Sequence, residues 1–243
     1  MSNIITLYHG ADHIIEKPQF GFGKPYNDYG LAFYCTKSKS LACEWAVTED
    51  TDGYANEYTL NTENLKFLNL NKVPYPVLTW LTVLIQNRTF DSYNQVQSSA
   101  KDFLINNFNI DYENYDVIVG YRADDSYFQF AKAFLNNGIT YKTLSNAMYL
   151  GELGNQYAIK SENAFSKLTF TTAYKSPASI WFEKKIAREN KAREIYANSK
   201  LEKISDNDIL LTDIMRGRLG DEEKKLLQQG LSPVSTRSSR SDD

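Results

Sequence analysis

Short hydrophobic runs, several with alternating polar positions, recur along the first two thirds of the chain. Runs of this kind that are rich in β-branched and aromatic side chains are typical of strands buried on one or both faces. They predict seven strands, at Ile4–Tyr8, Leu31–Cys35, Glu57–Leu60, Leu65–Leu68, Tyr115–Gly120, Gln156–Ile159 and Leu168–Thr171.

Hydrophobic positions three and four residues apart predict helices among these strands. In Lys39–Ala46, for example, Leu41, Ala42, Trp45 and Ala46 share one face. Further helices are predicted at Val77–Asn87, Gln95–Phe108, Tyr127–Asn137, which Gly138 should end, and Leu144–Leu153. Because strands and helices do not follow a strict βαβ order, the pattern favours an α+β fold over a doubly wound sheet.

The pattern changes after about Tyr174. Helices with sparse apolar positions are predicted at Ile180–Lys200, Asp208–Leu219 and Asp221–Gln229, and the Ser-, Arg- and Asp-rich end at Ser232–Asp243 should be disordered. We therefore divide the chain into a domain of residues 1–174, a helical extension of residues 175–231 and a disordered tail of residues 232–243. The extension is either a solvated helix packed loosely on the domain or a docking element for a target or a neutralising partner.

Composition narrows the class of protein. With 30 acidic and 27 basic residues the formal charge is −3, which excludes a global electrostatic footprint for nucleic acid. No stretch approaches the length of a membrane span and no signal-peptide pattern begins the chain, so we expect a cytoplasmic protein without membrane contact. Cys35 and Cys43 are too few for a disulfide scaffold and are expected to be free thiols. Tyr, Phe and Trp make up 14% of the chain, which suits a ligand with flat rings.

Two segments could carry a site. His9 ends a predicted strand, where its imidazole would project at a sheet edge, and Gly10 would let a ligand approach the backbone. His9 could equally be a capping or core histidine. The spacing of His9 and His13 suits zinc only on a helix, so we expect no metal site. Tyr34 ends a second strand and Trp45 lies on the helix that follows, so their rings could close on a planar ligand or belong to the core.

These residues resemble the ADP-ribosyltransferase superfamily, in particular its His-Tyr-Glu branch, which diphtheria-type toxins and poly(ADP-ribose) polymerases share. Within it the chain is most similar to a bacterial family of ADP-ribosyltransferase-like proteins, the DUF3990 group. The resemblance covers roughly residues 4–170. In chain order the matching residues are Tyr8-His9-Gly10, Gly30 through Thr36, Trp45-Ala46, Trp80-Leu81, Asn87-Arg88, Tyr115 through Gly120, Ala123-Asp124-Asp125 and Gln156-Tyr157.

The resemblance implies a split, highly curved β core with flanking helices that holds NAD in an extended cleft. It implies that His9 hydrogen-bonds the adenosine ribose and that the Gly10 backbone holds the nicotinamide amide. Tyr34 would match the tyrosine of the second motif, and Trp45 would stack on nicotinamide. NAD is then a substrate, because the reaction breaks its nicotinamide–ribose bond and moves ADP-ribose to an acceptor.

The chain departs from the branch at Gln156, where the branch carries a catalytic glutamate. A glutamine can orient a ribose but brings no negative charge to an oxocarbenium-like transition state. Asp124 and Asp125, after a predicted strand, could supply the charge or form a solvated turn. Arg88 and Arg122 could meet the pyrophosphate of NAD or form surface ion pairs. The flanking carboxylates Glu152 and Glu162 are predicted at the surface.

We therefore expect a mono-ADP-ribosyltransferase that uses NAD, in a cytosolic bacterial or phage toxin or effector. The acceptor, whether protein, nucleic acid or small molecule, cannot be read from the residues. Two alternatives are a non-catalytic NAD-binding interaction module and an NAD glycohydrolase.

Overall fold

Seven strands and nine α-helices make up the described part of the chain. The computed structural model describes residues 3–88, 95–123, 125–150, 154–199, 204, 205 and 208–229. The strands are β1 (Ile4–Ala11), β2 (Phe33–Thr36), β3 (Gly53–Asn61), β4 (Phe67–Asn69), β5 (Val117–Tyr121), β6 (Asn155–Ile159) and β7 (Leu168–Ser176). The helices are α1 (Lys39–Ala46), α2 (Pro76–Asn87), α3 (Gln95–Phe108), α4 (Asp125–Leu135), α5 (Tyr141–Leu150), α6 (Glu162–Ser166), α7 (Ala178–Ser199), α8 (Leu211–Met215) and α9 (Asp221–Gln229).

The α+β class and every predicted strand and helix are confirmed, most of them with shifted ends, while the predicted helix ends at residues 151–153 and 200 lie outside the described residues. The largest extensions are in β3 and β7, which pair with each other from Gly53 opposite Ser176 to Leu60 opposite Leu168, because backbone ladders continue through polar positions that a hydrophobic pattern does not mark. The short helix α6 was not predicted. Its five residues are too few to show a hydrophobic period, and it begins where the Ser161 hydroxyl accepts the Ala164 N–H at 3.0 Å.

The strands form one sheet in the order β4-β5-β6-β2-β1-β3-β7. All neighbours are antiparallel except β4 and β5. Strand pairing is shortest at the centre of the sheet, because Tyr8 opposite Thr36 is the single registered pair between β1 and β2. On either side of this joint the ladders are longer, with four pairs between β2 and β6 and eight between β1 and β3. The sheet therefore has a four-stranded and a three-stranded half that separate past Tyr8.

Helix α1 packs directly on the three-stranded half. It begins at Ser38, whose hydroxyl accepts the Leu41 N–H at 3.3 Å. A Cβ at Gly10 would lie 2.1 Å from the Ala42 carbonyl oxygen of this helix. The close approach of α1 thus accounts for glycine at position 10, and the contact of its backbone with a ligand stays a prediction.

The main core lies between helices α2 to α5 and the four-stranded half of the sheet. Trp80 on α2 is fully buried and donates its indole N–H to the Tyr121 carbonyl oxygen at 3.1 Å. Five buried apolar residues from beyond the predicted boundary at 174 join the same cluster: Ala192, Ile209, Leu211, Ile214 and Leu227. The division of the chain into a domain and an extension stays a prediction, but residues of both parts share one core. Cys35 and Cys43 are buried and free, as predicted.

The end of α4 differs from the prediction. Gly138 was expected to end a helix that runs to Asn137, but α4 ends at Leu135 and Asn137 adopts the left-handed conformation, with φ of 55°. The Gly138 N–H bonds the Ala133 carbonyl at 2.8 Å and the Asn137 N–H bonds the Phe134 carbonyl at 3.0 Å. This is the hydrogen-bond pattern of a Schellman motif with asparagine in the left-handed position.

Helix α7 is anchored along its length rather than packed loosely. At its start the Ala178 N–H donates to the Asp52 carboxylate at 2.8 Å, and toward its end Tyr196 meets Phe130 edge-to-face at 5.0 Å. Between them Ala192 is fully buried. None of the described helices, α7 included, is both long and apolar enough to cross a membrane.

Candidate functional site

A cleft of about 600 Å³ opens where β1 and β2 separate, a size typical of ligand pockets. It brings together six residues that the sequence singled out, from separate segments of the chain: His9, Tyr34, Trp45, Arg88, Arg122 and Gln156. The remaining described lining residues are Asn27, Asp28, Glu44, Ala123, Lys185, Arg188, Glu189 and Arg193. Gly10 is not among them.

His9 bridges the gap between the two halves of the sheet. The sequence placed it at a strand end, but it lies inside β1, opposite Asn56 of β3. Its Nδ1 donates to the Tyr34 carbonyl oxygen at 2.6 Å, past the last registered pair of β1 and β2. Since a carbonyl only accepts, Nδ1 carries the proton. Burial lowers the pKa of His9, against the opposing effect of the Tyr34 hydrogen bond, so the ring is held neutral with Nε2 as an acceptor.

The hydroxyl of Tyr34 ties down the loop that precedes β2. It donates to the Gly30 carbonyl oxygen at 2.6 Å and accepts the Tyr29 N–H at 3.0 Å. Gly30 adopts φ of 76°, which favours glycine. Burial raises the pKa of Tyr34 far above its usual range. The hydroxyl is therefore a neutral structural group, whereas the sequence had drawn attention only to the ring.

Asp28 is the residue that sequence reasoning missed. Its carboxylate is 3% exposed and accepts from Arg88 Nε at 2.8 Å, from the Ala123 N–H at 2.8 Å and from Gln156 Nε2 at 2.6 Å. These four residues are called the Asp28 network below. In the sequence, Asp28 follows Asn27 in a polar loop and reads as an ordinary turn residue, so no motif points to it.

Gln156 has one orientation in this network. Its amide nitrogen donates to Asp28 and, at 3.4 Å, to the Tyr121 carbonyl oxygen. Both partners only accept, so the nitrogen must face them and Oε1 is left as the polar atom for the cleft. Gln156 was expected to serve as donor and acceptor toward a ribose. The structure restricts it to accepting.

Arg88 forms a buried ion pair, not the surface pair that was the alternative to a pyrophosphate contact. Its side chain is 22% exposed and that of Asp28 is 4% exposed. A second guanidinium nitrogen donates to the Ala123 carbonyl oxygen, and the group lies 5.2 Å from the centre of the Phe128 ring. Arg88 therefore holds Asp28 and the end of β5 together.

Trp45 presents an aromatic face to the cleft. The guanidinium carbon of Arg122 lies 4.4 Å from the centre of its ring, a cation–π arrangement. The buried indole Nε1 has no hydrogen-bond partner among the described residues. The Trp45 ring face is therefore in contact with a planar cation.

The structure describes no side chain for the two aspartates that could supply the missing negative charge. Asp124 is outside the described residues, and so is the side chain of Asp125, whose backbone begins α4. Glu152 is likewise outside them, and Glu162 is exposed, as predicted. The roles suggested for Asp124 and Asp125 stay predictions.

Helix α7 supplies a wall of the cleft that the sequence did not indicate. Lys185, Arg188, Glu189 and Arg193 lie on it, and we call them the α7 wall. Arg188 grips Glu44 of α1 through Nε and a terminal nitrogen, at 2.9 and 3.0 Å. Lys185 Nζ donates to the carbonyl oxygen of Val47, the residue that ends α1, at 3.0 Å. The signal available in the sequence was the spacing of these four residues, which places them on one helix face.

Comparison with known proteins places the chain in a family. Residues 5–170 match the family described as "Protein of unknown function (DUF3990)". No curated protein and no solved structure matches the chain. The matched segment contains every part of the cleft except the α7 wall. Because the match spans more than half of the sequence, the chain belongs to the DUF3990 family.

Proposed function

We propose that the protein is a mono-ADP-ribosyltransferase that binds NAD in this cleft, with a fold of the ADP-ribosyltransferase type. One observation carries the proposal: residues that the resemblance assigns to NAD, namely His9, Tyr34, Trp45 and Gln156, come from four separate elements and line one cleft. Nothing in their sequence spacing requires this convergence.

The cleft offers an acceptor for each ribose of NAD and an aromatic face for nicotinamide. Neutral His9 would accept a hydroxyl of the adenosine ribose through Nε2, and Gln156 would accept a hydroxyl of the nicotinamide ribose through Oε1. The nicotinamide ring of NAD is a planar cation, and the Trp45 ring already contacts a planar cation. Stacking on Trp45 would place the nicotinamide–ribose bond beside Gln156 Oε1.

In the proposed reaction the bond between nicotinamide nitrogen and ribose C1′ breaks, and its electron pair leaves with neutral nicotinamide. An acceptor nucleophile then bonds to C1′ and loses its proton. Gln156 Oε1 would face the positive charge that develops on the ribose. Because its amide N–H donates to the Asp28 carboxylate, the amide is polarised and Oε1 becomes a stronger acceptor.

A non-catalytic NAD-binding module is the second candidate. It is favoured by the neutral amide at Gln156 and by the ion pair that already compensates the charge of Asp28. The cleft would then hold the ligand without stabilising the transition state.

Nicotinamide release from NAD, measured with and without cell extract, separates these functions. Release that depends on extract supports transfer, release without extract supports a glycohydrolase, and binding without release supports the module. We expect NAD to raise the melting temperature, since a ligand that binds only the folded state stabilises it. His9→Ala should abolish that shift, and His13→Ala, at an exposed histidine outside the cleft, should retain it. An equal NAD shift in both variants would contradict the proposed site.

The cellular setting and partners are proposals on the resemblance alone. They comprise a cytosolic bacterial or phage toxin or effector, a macromolecular ADP-ribose acceptor and a neutralising partner. Labelled NAD incubated with extract, followed by protease or nuclease, would identify the class of acceptor.

A further inference from the structure

We infer that the α7 wall, together with Arg122, forms a subsite for the pyrophosphate group of a nucleotide, so that the region after residue 174 is part of the ligand site. The inference rests on the proposed function for the identity of the nucleotide. It goes beyond that function by assigning the phosphate contacts to a helix outside the family match, which ends at residue 170.

The charge of the cleft is the first observation. Among its described lining residues five are basic, namely Arg88, Arg122, Lys185, Arg188 and Arg193, and three are acidic, namely Asp28, Glu44 and Glu189. The excess of two positive charges contrasts with the net charge of −3 for the whole chain. It matches the two negative charges of a dinucleotide pyrophosphate.

The position of these charges is the second observation. Asp28 and Arg88 neutralise each other on the sheet side of the cleft. Of the remaining cations, Lys185, Arg188 and Arg193 lie on α7, and Arg122 stacks on the Trp45 ring. Arg188 follows Lys185 by three residues and Arg193 follows it by eight, so the three side chains lie within about 140° of one another around the helix axis. The excess charge is therefore concentrated on one side of the cleft.

The rigidity of the wall is the third observation. The two bonds from Arg188 to Glu44 and the bond from Lys185 to Val47 fasten α7 to α1, the helix that carries Trp45. The aromatic face and the basic wall are thus held in fixed relation. A ligand with a planar cationic ring and a pyrophosphate could contact both.

The test measures binding of inorganic pyrophosphate, ADP-ribose and adenosine to the full chain by calorimetry. Arg193→Gln is the main variant, because its side chain is 62% exposed and its loss should leave the fold intact. Lys185→Gln is the second variant. Lys191→Gln is the matched control, since it removes the same charge from an exposed position of α7 outside the cleft. Arg188 is unsuitable, because its loss would leave Glu44 buried without its partner.

We expect pyrophosphate and ADP-ribose to bind, and Arg193→Gln and Lys185→Gln each to weaken both about tenfold, as for loss of a charge-assisted hydrogen bond. Lys191→Gln should change affinity less than twofold, by our estimate for a distant exposed charge. Adenosine binding should be the same in all variants, and added salt should weaken pyrophosphate binding.

The outcomes separate this inference from the proposed function. If ADP-ribose binds and both variants behave like Lys191→Gln, the subsite is wrong and the proposed function stands. If pyrophosphate binding shows the expected pattern but neither NAD nor ADP-ribose binds, the subsite stands and the proposed function fails. Absence of pyrophosphate binding to the wild-type chain overturns the subsite.

Discussion

The Asp28 network and the α7 wall face the same cleft but are built in different ways. In the network the ion pair of Arg88 and Asp28 is 2.8 Å long, and the Asp28 side chain is 4% exposed. In the wall the pair of Arg188 and Glu44 is similarly buried, but the pair of Arg193 and Glu189 is 3.5 Å long, and Arg193 is 62% exposed. Buried charges need fixed partners, whereas exposed charges are solvated and can adapt. The network should therefore govern stability and local geometry, and the exposed residues of the wall should govern affinity for ligands.

The largest effect is expected from a substitution at the centre of the Asp28 network. Asp28→Ala removes the carboxylate that accepts from Arg88 Nε, from the Ala123 N–H and from Gln156 Nε2. Removing one partner of a buried ion pair costs about 3–5 kcal/mol of unfolding free energy. Urea unfolding measures it. Glu189→Ala in the α7 wall is the control and should cost under about 1 kcal/mol. Similar losses in the two variants would remove the distinction between network and wall.

A smaller, pH-dependent effect is expected from Gln156→Glu. The new carboxyl would lie against the Asp28 carboxylate, where Gln156 Nε2 is now 2.6 Å away. Like charges raise the pKa of one member of such a pair. A raised pKa in the folded state gives stability that is lost as pH rises through it. If that pKa rises by about two units, the variant should lose about 2–3 kcal/mol at pH 8.

The measurement is urea unfolding of Gln156→Glu and wild type between pH 5 and pH 8. The stability gap between them should widen as pH rises. A gap that does not change with pH would show that the two carboxyls do not interact. A glutamate at position 156 would therefore restore the missing charge at pH 8 only with a loss of stability.

Tyr34→Phe tests the hydroxyl of Tyr34, whereas the sequence drew attention only to its ring. The variant leaves the Tyr29 N–H and the Gly30 carbonyl without their partner. Leaving buried polar groups unsatisfied costs about 1–3 kcal/mol. Tyr26→Phe, in the same loop but 67% exposed, is the control and should change thermal stability little. If both variants melt alike, the Tyr34 hydroxyl does not hold the loop.

The smallest expected effect is the change in acid sensitivity of the protein's stability when His9 is replaced. Burial lowers the pKa of His9 in the folded state, so protonation of this histidine favours the unfolded state. The free energy of unfolding that neutral His9 contributes is therefore retained above the unfolded pKa of about 6.5 and is lost as pH falls below that value. His9→Gln should remove this part of the acid sensitivity, and His13→Gln should not. Melting temperatures between pH 5 and pH 8 measure both. Identical profiles for His9→Gln and wild type would show that His9 does not titrate differently on folding.

The sequence predicted the elements and part of the site for the same reason. Short apolar runs mark strands, and His9, Tyr34 and Gln156 lie in motifs on or beside these runs, so they could be found. Hydrophobic patterns say nothing about which charged residues meet. Asp28 lies 60 residues from Arg88 and 128 from Gln156, and its partners appear only when three loops and a strand end converge.

The α7 wall shows a second limit of sequence reasoning. The helix was predicted, but its sparse apolar positions gave no sign of the surface it faces. Glu44 was missed for the converse reason. A charged residue on α1 is expected to face solvent, whereas the Glu44 side chain is 5% exposed and pairs with Arg188. Position in the fold, not local pattern, gives both residues their role.

The hydrogen bond between Gln156 and Asp28 also constrains how relatives of this protein can diverge. Two residues that are joined by a hydrogen bond are expected to show non-additive mutational effects. A glutamate at position 156 would be tolerated mainly in chains where position 28 has already become neutral, and an acid at position 28 would favour a neutral donor at 156. Substitutions at these positions should therefore accumulate in a fixed order, so that neutralising Asp28 opens an evolutionary route to a glutamate at 156 that is closed while Asp28 remains.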